Sequence, residues 1–143
     1  MDRDPQERAP FEELEHTADV GIKAYGADLE EIFRNAARGM FEIIRGEMEV
    51  EAETERSFEL EEKGPEALLV AFLSELNYLS ETEGLIFTDF QVAIRRERRL
   101  EAVCRGGPFG EDRSKVGIEI KAVTWHQLEI DREEGWARVI FDV

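Results

Sequence analysis

The sequence predicts an α+β fold: two layers, with a mostly antiparallel or mixed β-sheet packed against two main helices. Three observations predict it. Apolar residues recur at three- and four-residue spacing over residues 28–45 and again from Pro65 to Leu79, each a helical stripe. Much of the remaining chain alternates apolar and polar residues, the period of half-buried strands. Between alternating stretches lie turn-like clusters, Arg95-Arg96-Glu97-Arg98-Arg99 and Asp131-Arg132-Glu133-Glu134-Gly135, suited to hairpins.

Taken in order, residues 1–10 read as a flexible charged lead-in and residues 11–143 as one domain. Residues 11–26 are two short extended runs around a polar knee, Glu15-His16-Thr17-Ala18-Asp19. After the knee, Val20, Ile22 and Ala24 alternate with Gly21, Lys23 and Tyr25. In the first helix Asp28 is placed to cap the free amides, with Glu31 in the capping-box position. Leu29, Ile32, Phe33, Ala36, Ala37, Met40, Phe41 and Ile44 form its stripe, and Gly46 ends it. Residues 47–61 are acidic, with Met48, Val50 and Ala52 and then Phe58 and Leu60 alternating. They predict two strand segments on a solvent-facing edge, where charge discourages edge-to-edge pairing. Pro65 suits the first position of the second helix, whose stripe is Leu68, Leu69, Phe72, Leu73, Leu76 and Leu79. Burying each large apolar side chain stabilises by roughly 1.5–3 kcal/mol, so both helices need a broad partner, and one sheet would supply it. Residues 87–94 and 100–104 flank the basic turn, 105–112 read as a glycine-rich loop, and 116–123 alternate again. Residues 125–130 and 136–141 make a last hairpin.

Composition narrows the function. The 143 residues suit one domain burying roughly two-thirds of its unfolded surface. There are 34 acidic against 18 basic residues, a formal net charge of −16. Such a surface repels a phosphate backbone, so no direct nucleic-acid binding is expected; a basic protein partner or a bound metal suits it better. No apolar run approaches the roughly 18 residues of a membrane helix, and the charged first ten residues do not read as a signal peptide. The single cysteine, Cys104, excludes an intrachain disulfide and a Cys-rich zinc cluster. A cytoplasmic protein is the expectation.

The chemistry-bearing residues form no nucleophile–base constellation. His16 and His126 are far apart, and neither lies in an HExxH helix. Residues 106–110 lack the Walker arrangement, and Pro108 removes a donor amide. Cys104 falls on the apolar phase with Leu100 and Ala102, a packing position. Asp19 reads either as a turn or backbone cap at the knee or as a metal ligand. Asp142 reads either as the outward residue of a closing strand or as a ligand beside the α-carboxylate of Val143. If Asp19 meets them, three carboxylates share one place. They would repel one another and raise at least one pKa unless a hard, oxygen-preferring cation such as Ca²⁺ or Mg²⁺ neutralises them. Lys121 reads either as a solvent-facing strand lysine or as a cation reaching the same end of the sheet to touch a partner or phosphate. His16 and His126 read as structural hydrogen-bonders or as contacts.

Four motifs in order, covering nearly everything from Phe11 onward, resemble the archease family. They are His16-Thr17-Ala18-Asp19-Val20-Gly21-Ile22-Lys23-Ala24-Tyr25-Gly26, Asp28-Leu29-Glu30-Glu31-Ile32-Phe33, Glu119-Ile120-Lys121-Ala122-Val123-Thr124-Trp125-His126 and Val139-Ile140-Phe141-Asp142-Val143. The resemblance implies a small cytosolic accessory protein, not itself an enzyme. It would activate an RtcB-type RNA ligase in tRNA splicing and RNA repair, promoting the ligase's histidine–GMP intermediate and repeated turnover. GTP would be used by the ligase. Carried over, Asp19, Asp142 and Val143 correspond to the metal-binding residues and Lys121 to the lysine implicated in activation. His16 and His126, inside matching motifs, join Lys121 as candidate partner contacts. Ser114 stands where the family usually has histidine, and Trp125 replaces the usual tyrosine, which should mainly alter packing. Two rivals are a chaperone-like modulator of an RNA methyltransferase and a stand-alone metal-dependent hydrolase.

Overall fold

A computed structural model describes residues 8–15, 19–110 and 112–143. The chain runs β1 (Phe11–Glu15), β2 (Asp19–Tyr25), α1 (Leu29–Arg45), β3 (Thr54–Glu61), α2 (Pro65–Glu83), β4 (Leu85–Arg95), β5 (Arg99–Pro108), β6 (Ala122–Val123), β7 (Glu129–Asp131) and β8 (Trp136–Asp142). Helix α1 starts as its first turn dictates. The Asp28 carboxylate accepts from the Glu31 amide at 2.8 Å, and the Glu31 carboxylate accepts from the Ala27 amide at 2.9 Å, a reciprocal capping box. It ends at Gly46, whose φ is 60°. Helix α2 opens on Pro65 and closes on a left-handed Gly84.

The expected stripes are buried, and Leu79 lies at their partly buried margin. Phe33 stacks on Phe72 with ring centroids 5.9 Å apart, and Phe41 meets Phe87 edge-on at 5.5 Å. Each such pair adds on the order of 0.5–1.5 kcal/mol beyond its burial. The fold class is the predicted α+β, but the strands divide into two antiparallel sheets instead of one. Five strands form the first, in the order β1-β2-β8-β6 with β7 also on β8; β3-β5-β4 form the second. Both helices pack against strands of both sheets, which places the core between them. Periodicity locates strands and says nothing of their partners, so the split was not visible in it.

Four boundaries also differ. Residues 47–53 are not strand. Met48 is drawn under the end of α1, its amide donating to Arg45 O and its carbonyl accepting from Arg45 Nε. The glycine-rich stretch extends β5 to Pro108, because Gly106 lets two backbones touch: a Cβ there would lie 2.2 Å from Ile86 O. Only Ala122 and Val123 of the alternating stretch at 116–123 join a sheet. Its start is held to α1, with Gly117 and Ile118 amides donating to Ile44 and Ile43 carbonyls, and Ile118 is left 43% exposed. Of residues 125–130, only 129 and 130 belong to the final hairpin, and Trp125 is 59% exposed instead of packed. The basic cluster does form the β4–β5 turn, with Arg96 and Glu97 at positive φ.

Candidate functional site

Strands β2 and β8 pair antiparallel, so facing residues share one side of the sheet. Val20, Ile22 and Ala24 face Phe141, Val139 and Ala137 on the core side. The opposite phase makes four rows across the outer side: Asp19 with Asp142, Gly21 with Ile140, Lys23 with Arg138, Tyr25 with Trp136. Two rows thus set like charges against each other. From first row to last is six residues, about 20 Å.

The sequence-predicted pair therefore meets, as adjacent residues on neighbouring strands. Facing residues in an antiparallel pair have Cα atoms about 4.5–5.5 Å apart, close enough for two unneutralised carboxylates to repel. Among the described residues neither side chain has a hydrogen-bond or ion-pair partner. Val143 follows directly, its side chain packed on the core, so its α-carboxylate stays at the same sheet end. Below this row Gly21 leaves room for Ile140: a Cβ there would lie 2.7 Å from both Ile140 Cδ1 and Val139 O. Ile140 is accordingly buried outside the main core, an apolar waist on the outer side.

Lys121 arrives at this end by a different route. Its amide donates to Asp142 O at 2.8 Å, and Ala122 stands opposite Asp142. Strand phase puts Ala122 beside the acid row, while Lys121 extends from the sheet end, exposed. Strict alternation from residue 116 to 123 would set Ile118, Ile120 and Ala122 on one face; Ile120 is buried as that phase requires, but Ile118 and Ala122 are exposed and Val123 packs on the core. Asn77 of α2 explains the shift, since its buried Nδ2 donates to Ile120 O at 2.9 Å and anchors the residue before Lys121. A buried asparagine on an apolar helix face was the available signal in the sequence. His126 occupies the turn after β6, its amide donating to Thr124 Oγ1, and its exposed ring bonds neither aspartate. His16 lies outside the described residues, as do Thr17 and Ala18. Ser114 satisfies itself locally, its amide and hydroxyl both donating to Asp112, whose carboxyl is held below its ordinary range by those two bonds.

The donor set can be tested against a cation. Among the described residues no three His, Cys, Asp or Glu side chains gather closely enough to hold a metal ion. The first row supplies two carboxylates, and a third oxygen donor would have to be the terminal carboxylate of Val143. All are hard oxygen ligands, the class Ca²⁺ and Mg²⁺ take. Cys104 contributes nothing here: it is fully buried in β5, and burial pushes its thiol up to about 12.

These features define a class, a small two-sheet α+β protein presenting an acidic strand end beside an exposed lysine. The Archease protein family (MTH1598/TM1083) matches residues 11–143. Protein archease of Methanosarcina mazei is 41% identical over 97% of this chain and 99% of its own length. That of Pyrococcus furiosus is 39% identical over 85% and 88%. These names carry no enzymatic activity. The solution structure of Methanobacterium thermoautotrophicum protein 1598 superposes with a TM-score of 0.75 at 36% identity, covering 94% of this chain and 99% of that one. The crystal structure of a Thermotoga maritima archease, described as a possible chaperone, has a TM-score of 0.59 at 24% identity and bears on the fold alone. The chain belongs to the archease family. No helix among the described residues is long and apolar enough to cross a membrane.

Proposed function

We propose that this archease is an accessory activator of an RtcB-type RNA ligase, promoting the ligase's histidine–GMP intermediate and repeated turnover, with GTP consumed by the ligase. The observation that carries this reading is the Asp19–Asp142 row, two facing carboxylates without a partner among the described residues. With the Val143 terminus they would hold a divalent cation, Ca²⁺ or Mg²⁺. Bound there, the ion would supply positive charge to ligase or phosphate oxygens. The chain's own residues do the rest: β2 and β8 fix the two carboxylates in register, and Asn77 holds the segment that brings Lys121 to the same end. From there Lys121 offsets phosphate charge on the ligase during guanylylation, and His16 and His126 remain candidate contacts.

The test follows GMP transfer onto the cognate ligase with and without this chain, in Ca²⁺, Mg²⁺ or chelator. Activation lost in chelator, and in Asp19→Ala and Asp142→Ala, supports the reading. Variants that activate as well as the unmutated protein reject it.

A further inference from the structure

The opposite end of the β2–β8 ladder holds a feature that the activator reading leaves unused. A groove of about 400 Å³ opens between the segment before β1, the β2–α1 connection and α1, and Arg8, Arg34 and Arg38 line it with Tyr25 and Asn35. Three arginines thus line one groove in a chain of net charge −16. The one carboxylate on the lining is Glu31, and one of its oxygens already accepts from the Ala27 amide.

Each guanidinium carries five N–H donors, and these three are poorly satisfied. Among the described residues Arg34 has only Glu31, at 4.0 Å. Arg38 has, among the described residues, only Asn35 Oδ1, at 3.4 Å, while Asn35 spends its own Nδ2 on Tyr25 O at 2.6 Å. Arg8 lies over the Tyr25 ring, 4.6 Å from its centroid, and one terminal nitrogen donates to Glu134 O. Its Nε is buried with no acceptor among the described residues. A buried donor left unpaired is destabilising, and an acceptor in the groove would satisfy it. Residues Ala9 and Pro10 close the groove on one side, with the Pro10 carbonyl accepting from the Tyr25 amide.

We infer that this groove is an anion site taking the phosphate group of a small phosphorylated molecule. Guanidinium forks match phosphate oxygens in pairs, and three of them suit an ion with two or more negative charges. The volume falls within the range of small-molecule sites, and an Arg-lined concavity in an otherwise acidic protein is where such an anion meets attraction instead of repulsion. The site is about 20 Å along the strands from the acid row, so it stands independently of the proposed activation.

The experiment titrates pyrophosphate, then inorganic phosphate, then an oligo-aspartate peptide into the full chain by calorimetry. Pyrophosphate should bind, more weakly as salt rises, and Arg34→Ala/Arg38→Ala should weaken it at least about tenfold. Arg98→Ala/Arg99→Ala makes the same charge change in the β4–β5 turn and should leave binding unchanged. Circular dichroism checks that α1 survives; if the first double variant is unfolded, Arg38→Gln alone should still weaken binding several-fold. Absence of pyrophosphate binding, equal loss in both double variants, or binding of the peptide alone would overturn the assignment.

Discussion

The outer side of the β2–β8 ladder poses one electrostatic problem twice and meets it in two ways. At one end Asp19 faces Asp142; two rows further on Lys23 faces Arg138. The basic row is offset within the chain. Lys23 Nζ lies 4.4 Å from the Trp136 ring centroid and 5.7 Å from that of Tyr25. Arg138 lies 5.9 Å from the Trp136 centroid and donates from Nε to Gln127 O at 2.9 Å. Ring faces carry negative charge, so the aromatic row next door stabilises the cations. Among the described residues the acid row has no such neighbour: Gly21 and Ile140 stand next to it. A like-charge row that the chain itself offsets needs nothing further; the one left open is where the proposed cation would act.

The largest expected effect tests whether both ends share one support. Phe141 is fully buried opposite Val20, one residue from Asp142. Phe141→Ala should cost about 3–5 kcal/mol by urea unfolding and abolish ligase activation with it. A loss below about 1 kcal/mol would mean the ladder does not hold the rows.

Asp142→Asn should then separate the ends. Activation should fall at least about tenfold, while stability in chelator should rise by roughly 0.2–1 kcal/mol, because like charges directly opposite destabilise a sheet. Added Ca²⁺ should raise the melting temperature of the unmutated protein and not that of the variant. Equal stability of the two proteins in chelator would break the comparison.

At the basic row Trp136→Leu should cost about 1 kcal/mol beyond the lost burial, and Lys23→Gln in that background should return part of it. No coupling in that double-mutant cycle would mean the ring does not offset the cations.

The smallest effect serves as a control away from both ends. With its thiol raised to about 12, Cys104 should resist alkylation in the native protein at pH 8.5 and react once it is unfolded in urea. The folded value lies above the unfolded 9.0, so this contribution to stability is intact below about pH 9 and is lost as pH rises toward 12. Alkylation of the native protein at the rate of the unfolded one would contradict the burial.

Much of the fold was legible in local chemistry. Asp28, Glu31 and Gly46 mark both ends of α1 through bonds made within one turn, and Pro65 marks the start of α2. The candidate site was half legible. Asp19 and Asp142 stood out as residue types at strand ends, whereas their neighbourhood did not, because 123 positions separate them. Arg8, Arg34 and Arg38 went unnoticed for the same reason: dispersed in an acidic sequence, they make no cluster until Arg8, Ala9 and Pro10 lie beside α1.

By itself, then, the sequence determined where helices begin, where strands alternate and which residues carry charge, since each follows from contacts within a few residues. Only the tertiary structure decided that the strands form two sheets, that β8 returns beside β2, and that acids gather at one end and arginines at the other. Those depend on which distant strands and helices bury one another's apolar faces, and periodicity carries no record of that choice.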